Sequence, residues 1–214
     1  MIKISPSILN ADFSDLKNEI LKLKNAGADM LHIDVMDGSF VPNISIGMPV
    51  IKSIRKISDI VFDVHLMIDK PERYINNFID SGADIITFHI ESTQIAPEII
   101  KQIKSMNKKV GIAVKPSTAI KEIYPFLNEL DLVLIMTVEP GFGGQSYINE
   151  MDNKIISLKN EIISRKINTL ISIDGGVKLS NIKEKKELGI DIAVAGSEIF
   201  ETEDLAETIN QLKI

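Results

Sequence analysis

The stretch Asp29-Met-Leu-His-Ile-Asp-Val-Met-Asp-Gly38 carries residues whose types and spacing can do chemistry. On a β-strand successive side chains point to opposite faces, so Met30, His32, Asp34 and Met36 share one face while Leu31, Ile33 and Val35 share the other. A histidine and a carboxylate two residues apart on a strand can converge on one metal ion, whereas the same spacing on a helix splays them. Taken alone, the pair also reads as a buried His–Asp contact that satisfies its own hydrogen bonds. Asp63-Val-His-Leu-Met67 repeats the pattern, with His65 and Met67 on one face, and Asp174 closes Leu170-Ile-Ser-Ile-Asp174 just before Gly175-Gly176. His32, Asp34, His65 and Asp174 form a mixed nitrogen and oxygen donor set. Such a set suits one divalent ion, Zn²⁺, Fe²⁺, Mn²⁺ or Co²⁺, without choosing among them. His89 has no partner at matching spacing and is expected to be structural or a neighbour of the site. Asp63 is expected below the site rather than among the ligands. Met36, Met67 and Met136 fall at strand ends, where methionine is ordinarily core filler.

A second chemistry belongs to glycine. Thr137-Val-Glu-Pro-Gly-Phe-Gly-Gly-Gln145, Asp174-Gly-Gly-Val177 and Ala195-Gly-Ser-Glu-Ile-Phe200 each follow an apolar run. Glycine lets backbone N–H groups approach an anion closely, and a phosphate needs no basic side chain where such groups converge. One Gly-Gly pair would be a turn; three glycine-bearing loops on one rim predict a phosphate site.

Positioning these residues requires an alternation of strands and helices. Apolar runs predict strands near 3–8, 30–36, 60–66, 84–89, 109–114, 131–136, 169–173 and 191–195, several of them apolar on both faces, as in a buried parallel sheet. Helical spacing follows each one, near 13–26, 48–56, 72–80, 95–106, 119–128, 148–165, 179–187 and 204–212. In the first of these, Phe13, Leu16, Ile20 and Leu23 form the apolar face, and Asp12 or Ser14 is the expected cap. The junction of a glycine, then an acidic residue, then an apolar strand recurs at Gly27-Ala-Asp29, Gly82-Ala-Asp84 and Gly189-Ile-Asp191, which reads as a repeated structural unit. Eight strand–helix pairs in 214 residues predict a (β/α)8 TIM barrel forming a single catalytic domain over 1–214. A doubly wound open sheet is the runner-up, but no Gly-x-Gly-x-x-Gly follows the first strand. In a barrel of this kind chemistry sits at the C-terminal ends of the strands, where these histidines, aspartates and methionines fall, and phosphate sits beyond the last strands.

Composition narrows the partners. A formal charge of −6 without a basic run argues against nucleic acid. No signal-like segment or span of about 20 apolar residues is present, so a cytoplasmic protein that does not enter a membrane is expected. The absence of cysteine removes thiolate chemistry and disulfides.

Six motifs run through nearly the whole chain: Ser5-Pro-Ser-Ile-Leu-Asn-Ala-Asp-Phe13, His32-Ile-Asp-Val-Met-Asp-Gly-Ser-Phe-Val-Pro-Asn43, Asp63-Val-His-Leu-Met67, Met136-Thr-Val-Glu-Pro-Gly-Phe-Gly-Gly-Gln145, Asp174-Gly-Gly-Val177 and Ala195-Gly-Ser197. Together they resemble the ribulose-phosphate 3-epimerase family, barrels of the ribulose-phosphate-binding type that interconvert D-ribulose 5-phosphate and D-xylulose 5-phosphate in the pentose phosphate pathway. The resemblance implies that His32, Asp34, His65 and Asp174 bind one divalent metal, with Asp34 and Asp174 also the acid/base pair. It implies substrate contacts from Ser7, His65, Gly141, Phe142, Gly143, Gly144, Asp174, Gly175, Gly176, Gly196 and Ser197, with Met36, Met67 and Met136 lining the site, and a homo-oligomeric assembly. The chemistry implied is removal of the C3 proton on one face and its return on the other through a 2,3-enediolate. D-allulose 6-phosphate 3-epimerases share the metal set, but Gly143-Gly144 and Gly175-Gly176 favour the pentose phosphate. Barrel decarboxylases carry Asp-x-Lys-x-x-Asp, and Met36 stands at the lysine position here. A non-catalytic sugar-phosphate-binding barrel is disfavoured, since binding alone needs no proton donor on each face.

Overall fold

In the computed structural model, which describes residues 1–213, eight parallel strands form one ring. They are β1 (Lys3–Pro6), β2 (Met30–Met36), β3 (Val61–Met67), β4 (Ile85–His89), β5 (Lys109–Val114), β6 (Leu132–Met136), β7 (Leu170–Asp174) and β8 (Ile192–Ala195). Continuous ladders run from β2 through β8 to β1. The seam between β1 and β2 closes by a bridge between Ser7 and His32 and by the Asp29 N–H donating to the Ile4 carbonyl at 3.0 Å. Around the ring lie α1 (Leu16–Asn25), α2 (Met48–Arg55), α3 (Ile75–Asp80), α4 (Ala96–Ser105), α5 (Met151–Arg165), α6 (Ile182–Glu187), α7 (Ser197–Phe200) and α8 (Leu205–Leu212). The fold is the (β/α)8 barrel.

The period-two pattern divides each strand between two environments. Outward residues such as Leu31, Ile33, Val64, Phe88, Ile112 and Ile173 are fully buried beneath the helices in the main core. The helices meet them with residues at helical spacing, for example Ala96, Ile99, Ile100 and Ile103 of α4. Inward residues sort by height. Met30, Ile85, Leu132 and Ile192 pack in an apolar cluster lower in the barrel, and the polar residues lie above it.

The repeated junction is a hydrogen-bond device. Gly27, Gly82 and Gly189 take left-handed φ values of 88°, 113° and 96° just past their helices. The aspartate that follows each one clamps the neighbouring strand. Asp29 Oδ2 accepts from the Ile4 N–H at 2.8 Å, Asp84 Oδ2 from Phe62 at 3.0 Å and Asp191 Oδ2 from Ile171 at 2.9 Å. Asp131, without the glycine, does the same for Val110 at 2.9 Å. In each case the aspartate's own N–H donates back to the carbonyl of the residue it caps. Every even-numbered strand thereby fixes the start of the odd-numbered strand before it.

The elements depart from expectation in several places. The first strand ends at Pro6 instead of residue 8, because Ile8–Asn10 turns as a 3₁₀ helix capped by the Ser7 hydroxyl. The first helix opens with a 3₁₀ turn, Phe13–Asp15, capped by Asp12. This turn rotates Phe13 out of the apolar face, leaving it 47% exposed. Residues Ile120–Glu129 form a 3₁₀ helix rather than an α-helix, with Pro125 inside, since proline lacks the N–H and crowds the preceding turn. The helices expected at 72–80, 148–165 and 179–187 begin only at Ile75, Met151 and Ile182.

Candidate active site

The register of β2 against β3 sets up the centre. His32 lies opposite Asp63, and Asp34 lies opposite His65. The His-x-Asp order of one strand and the Asp-x-His order of the next therefore produce two cross-strand His–Asp pairs. Asp174, the last residue of β7, reaches in from the other side of the mouth. His32, Asp34, His65 and Asp174 each offer one donor atom within 4.8 Å of the others. His65 Nδ1 is 3.1 Å from Asp34 Oδ1 and 3.2 Å from His32 Nε2. His32 Nε2 is 3.4 Å from Asp34 Oδ1 and 3.8 Å from Asp174 Oδ2. Donors about 2.0–2.2 Å from one tetrahedral ion would lie about 3.4 Å apart, so the separations fit.

The hydrogen bonds behind these donor atoms fit a metal as well. His32 Nδ1 is 3.0 Å from Asp63 Oδ2, and Thr87 Oγ1 donates to Asp63 Oδ1 at 2.8 Å. A carboxylate only accepts, so in the neutral form that can bind an ion His32 carries its proton on Nδ1 and turns the Nε2 lone pair to the cluster. Asp63 thus lies below the cluster as a partner of His32, and His89, at the end of β4, contacts His65 from outside the cluster.

Electrostatics separate the two carboxylates. Burial opposes ionisation of Asp34, but the His32 and His65 rings beside it outweigh that and hold it far below the usual carboxylate range. Burial pushes Asp174 up to about 6; His32 pulls against that rise and the charge of Asp34 adds to it. Burial likewise opposes the charged form of His32, but Asp34 and Asp63 raise it well above the ordinary histidine value. Two acids in one mouth with proton affinities driven apart can divide the work of acid and base.

A cleft opens above the cluster. Ser7, Asp34, Met36, Met67, Met136, Gly141, Phe142, Gly143, Gly144, Asp174, Gly175, Gly176, Gly196 and Ser197 all line it, whereas His32 and His65 lie fully buried beneath. Met36 and Met67 pack with Val41, Leu9 and Phe40 into an apolar wall. Phe142 stands 56% exposed on the rim. The Ser7 hydroxyl donates to Asp34 Oδ2 at 2.6 Å. The opposite side of the cleft is backbone. Gly175 and Gly176 have φ of 120° and 65°, and a Cβ on either would overlap Val138 or the Tyr147 backbone. Asn43 Nδ2 donates to the Gly141 carbonyl at 2.7 Å, tying the β6 loop to the β2 loop. No lysine or arginine is among the lining residues.

Sequence reading missed three contributors. Thr87 supports Asp63, and pairing the two mirrored His/Asp motifs in register would have pointed to the strand beside them. Asn10 lines the cleft against both Gly143 and Gly196, and no spacing signal marks it. Asp37 accepts from the Ser39 and Phe40 N–H groups and from the Asp69 N–H at 2.8, 2.9 and 2.8 Å, which fastens the β2 loop to the β3 loop.

The geometry has counterparts among known proteins. The chain is 42% identical over 214 residues to ribulose-phosphate 3-epimerase of Bacillus subtilis, covering 100% of this chain and 99% of that one. It is 44% identical to the chloroplastic ribulose-5-phosphate-3-epimerase of Arabidopsis thaliana, over 99% of this chain and 76% of that one. It is 41% identical to the Methanocaldococcus jannaschii ribulose-phosphate 3-epimerase, over 100% and 90%. Among solved structures, 3-hexulose-6-phosphate synthase from Salmonella typhimurium superposes with a TM-score of 0.71 at 18% identity, covering 99% of this chain and 96% of that one. A tryptophan synthase α-subunit mutant from Pyrococcus furiosus gives 0.73 at 14%, over 99% and 97%. These two share the barrel alone. Residues 3–200 match the model of the ribulose-phosphate 3 epimerase family, and with full-length relatives above 40% identity the chain belongs to that family.

Proposed function

We propose that this chain inverts C3 of a pentulose 5-phosphate, interconverting D-ribulose 5-phosphate and D-xylulose 5-phosphate in the pentose phosphate pathway. The observation that carries the reading is the convergence of Asp34 and Asp174, from β2 and β7, on one cleft beside His32 and His65. Inversion beside a ketone needs a base on one face of C3 and an acid on the other. The step needs Asp34 ionised and Asp174 protonated: Asp34 then takes the C3 proton and Asp174 delivers one to the opposite face. In the reverse direction the roles exchange. Oδ1 of Asp34 faces the histidines, so Oδ2, which accepts from Ser7, is the oxygen left for the proton.

His32, Asp34, His65 and Asp174 would hold one divalent ion, Zn²⁺, Fe²⁺, Mn²⁺ or Co²⁺, which supplies positive charge against the negative charge that develops on the substrate oxygens as the proton leaves. Met36, Met67 and Met136 keep water from that charge. Backbone N–H groups of Gly141 to Gly144, Gly175, Gly176 and Gly196, with the Ser197 hydroxyl, hold the phosphate, which suits a cleft without a basic side chain. The proposal extends to one catalytic unit over 1–214, a homo-oligomeric assembly and a cytoplasmic location.

Turnover of D-ribulose 5-phosphate in D₂O, before and after chelation and metal restoration, tests the reading. Metal-dependent deuterium entry at C3 with D-xylulose 5-phosphate formed, and D-allulose 6-phosphate turned over more slowly, is expected. No exchange on either sugar with any of the four metals would overturn it.

A further inference from the structure

His65 belongs to the ligand cluster through Nδ1, but its other nitrogen is not free. His65 Nε2 lies 2.9 Å from His89 Nε2, and both rings are fully buried. Two imidazole nitrogens at that distance share one proton, so one must donate and the other accept. The choice decides whether His65 can bind a metal. With its proton on Nε2, His65 turns the Nδ1 lone pair toward Asp34 and His32. With its proton on Nδ1, that position is blocked.

Two carboxylates pull on that choice: Asp34 Oδ1, 3.1 Å from His65 Nδ1, draws the proton toward the cluster when no ion is bound, and the far side of His89 opposes it. His89 Nδ1 is 3.1 Å from Oε2 of Glu91. A carboxylate only accepts, so neutral His89 carries its proton on Nδ1 and presents the Nε2 lone pair to His65. Glu91 is itself pinned, because its Oε1 accepts from the Lys115 N–H at 2.8 Å at the end of β5. Ring contacts hold the middle ring: His89 stacks on His65 at 5.0 Å and 30° and meets Phe40 at a tilt, 4.8 Å away.

We infer that Glu91, acting through His89, is a positioning residue that sets the metal-binding tautomer of His65. The device parallels the direct Asp63 contact on His32, lengthened by one imidazole. It rests on the metal reading of the four-residue cluster.

Glu91→Gln tests it, because the Lys115 N–H still needs an acceptor there. The amide oxygen then faces Lys115, the NH₂ faces His89 Nδ1, and every proton along the chain reverses. The readouts are Zn²⁺ affinity by competition with a chromophoric chelator and ¹⁵N shifts of the imidazoles, which three histidines make easy to assign. Zn²⁺ affinity is expected to fall about 10–100-fold in Glu91→Gln, with recovery in Glu91→Asp if the carboxylate still reaches His89. Equal affinity in a folded Glu91→Gln would overturn the relay and leave the metal site standing, whereas no Zn²⁺ binding by the unaltered protein would overturn both. Should Glu91→Gln not fold, the Zn²⁺-loaded unaltered protein decides. His89 protonated on Nδ1, toward Glu91, supports the relay, and His89 protonated on Nε2 overturns it.

Discussion

At the scale of residues, the site works by dividing identical side chains between different surroundings. Asp34 and Asp174 are both carboxylates, yet the histidine rings depress one while burial raises the other to about 6. Asp34→Asn and Asp174→Asn should each reduce turnover by about 10²–10⁴-fold while circular dichroism stays unchanged. Near-normal turnover in either would remove that residue from the chemistry. Asp63→Asn tests the support beneath His32. It should weaken Zn²⁺ binding about 10–100-fold in a chelator competition, and unaltered affinity would make the contact merely structural. Glu91 supplies a pH prediction. Burial opposes its ionisation, but hydrogen bonds from His89, Thr118 and the Lys115 N–H hold it down to about 2 against an ordinary value of 4.5. A depressed carboxyl stabilises the fold above its unfolded value and loses that contribution as pH falls toward its folded value. The gap in Tm between the unaltered protein and Glu91→Gln, measured with chelator present, should therefore be constant from pH 7 to 5.5 and narrow by pH 4. A gap that widens on acidification would contradict the assignment.

At the scale of elements, the strand starts and the strand ends are built by different rules. The starts are held by Asp29, Asp84, Asp131 and Asp191, each exchanging two hydrogen bonds with a neighbouring strand. Hydrogen bonds to a charged group contribute about 1.5–3 kcal/mol. Asp191→Ala should cost stability in that range, read from urea unfolding, without changing kcat, because it lies at the end of the barrel opposite the cleft. The strand ends are held by loop packing. Gly176→Ala would place a Cβ on the Tyr147 backbone at a φ of 65°, which forces the β7 loop to move. The expected signature is a raised KM for the sugar phosphate together with a lowered Tm. A variant with unchanged KM would show that this loop does not shape substrate binding.

For the molecule as a whole, the cluster joins β2, β3 and β7, and the β1–β2 seam closes beside it through Ser7 and His32. An ion held there ties together strands far apart in sequence. Free ion at 100 times Kd adds about 2.7 kcal/mol to the folded state. At roughly 2–4 °C per kcal/mol for a chain of this size, Zn²⁺ should raise Tm by about 5–10 °C, and EDTA should reverse it. No shift at saturating metal would deny a site that bridges the barrel. Among the described residues no helix is long and apolar enough to cross a membrane.

The sequence by itself determined the alternation of strands and helices, since apolar periodicity and the glycine–acid junctions are local signals. It also carried the residue types of the His/Asp cluster, because a histidine and an aspartate two apart on a strand must share a face whatever surrounds them. What it left open was contact between strands. The Asp63 and Thr87 support of His32, the His65–His89–Glu91 chain and the seat of Asn10 between Gly143 and Gly196 depend on register and on barrel closure, which no single segment encodes. Local propensity also misread Phe13 and the segment around Pro125, where a 3₁₀ turn replaced the α-helical period. The opposite shifts of Asp34 and Asp174 were likewise decided only by the tertiary structure, because burial and neighbouring charge, not residue type, set where a carboxyl holds its proton.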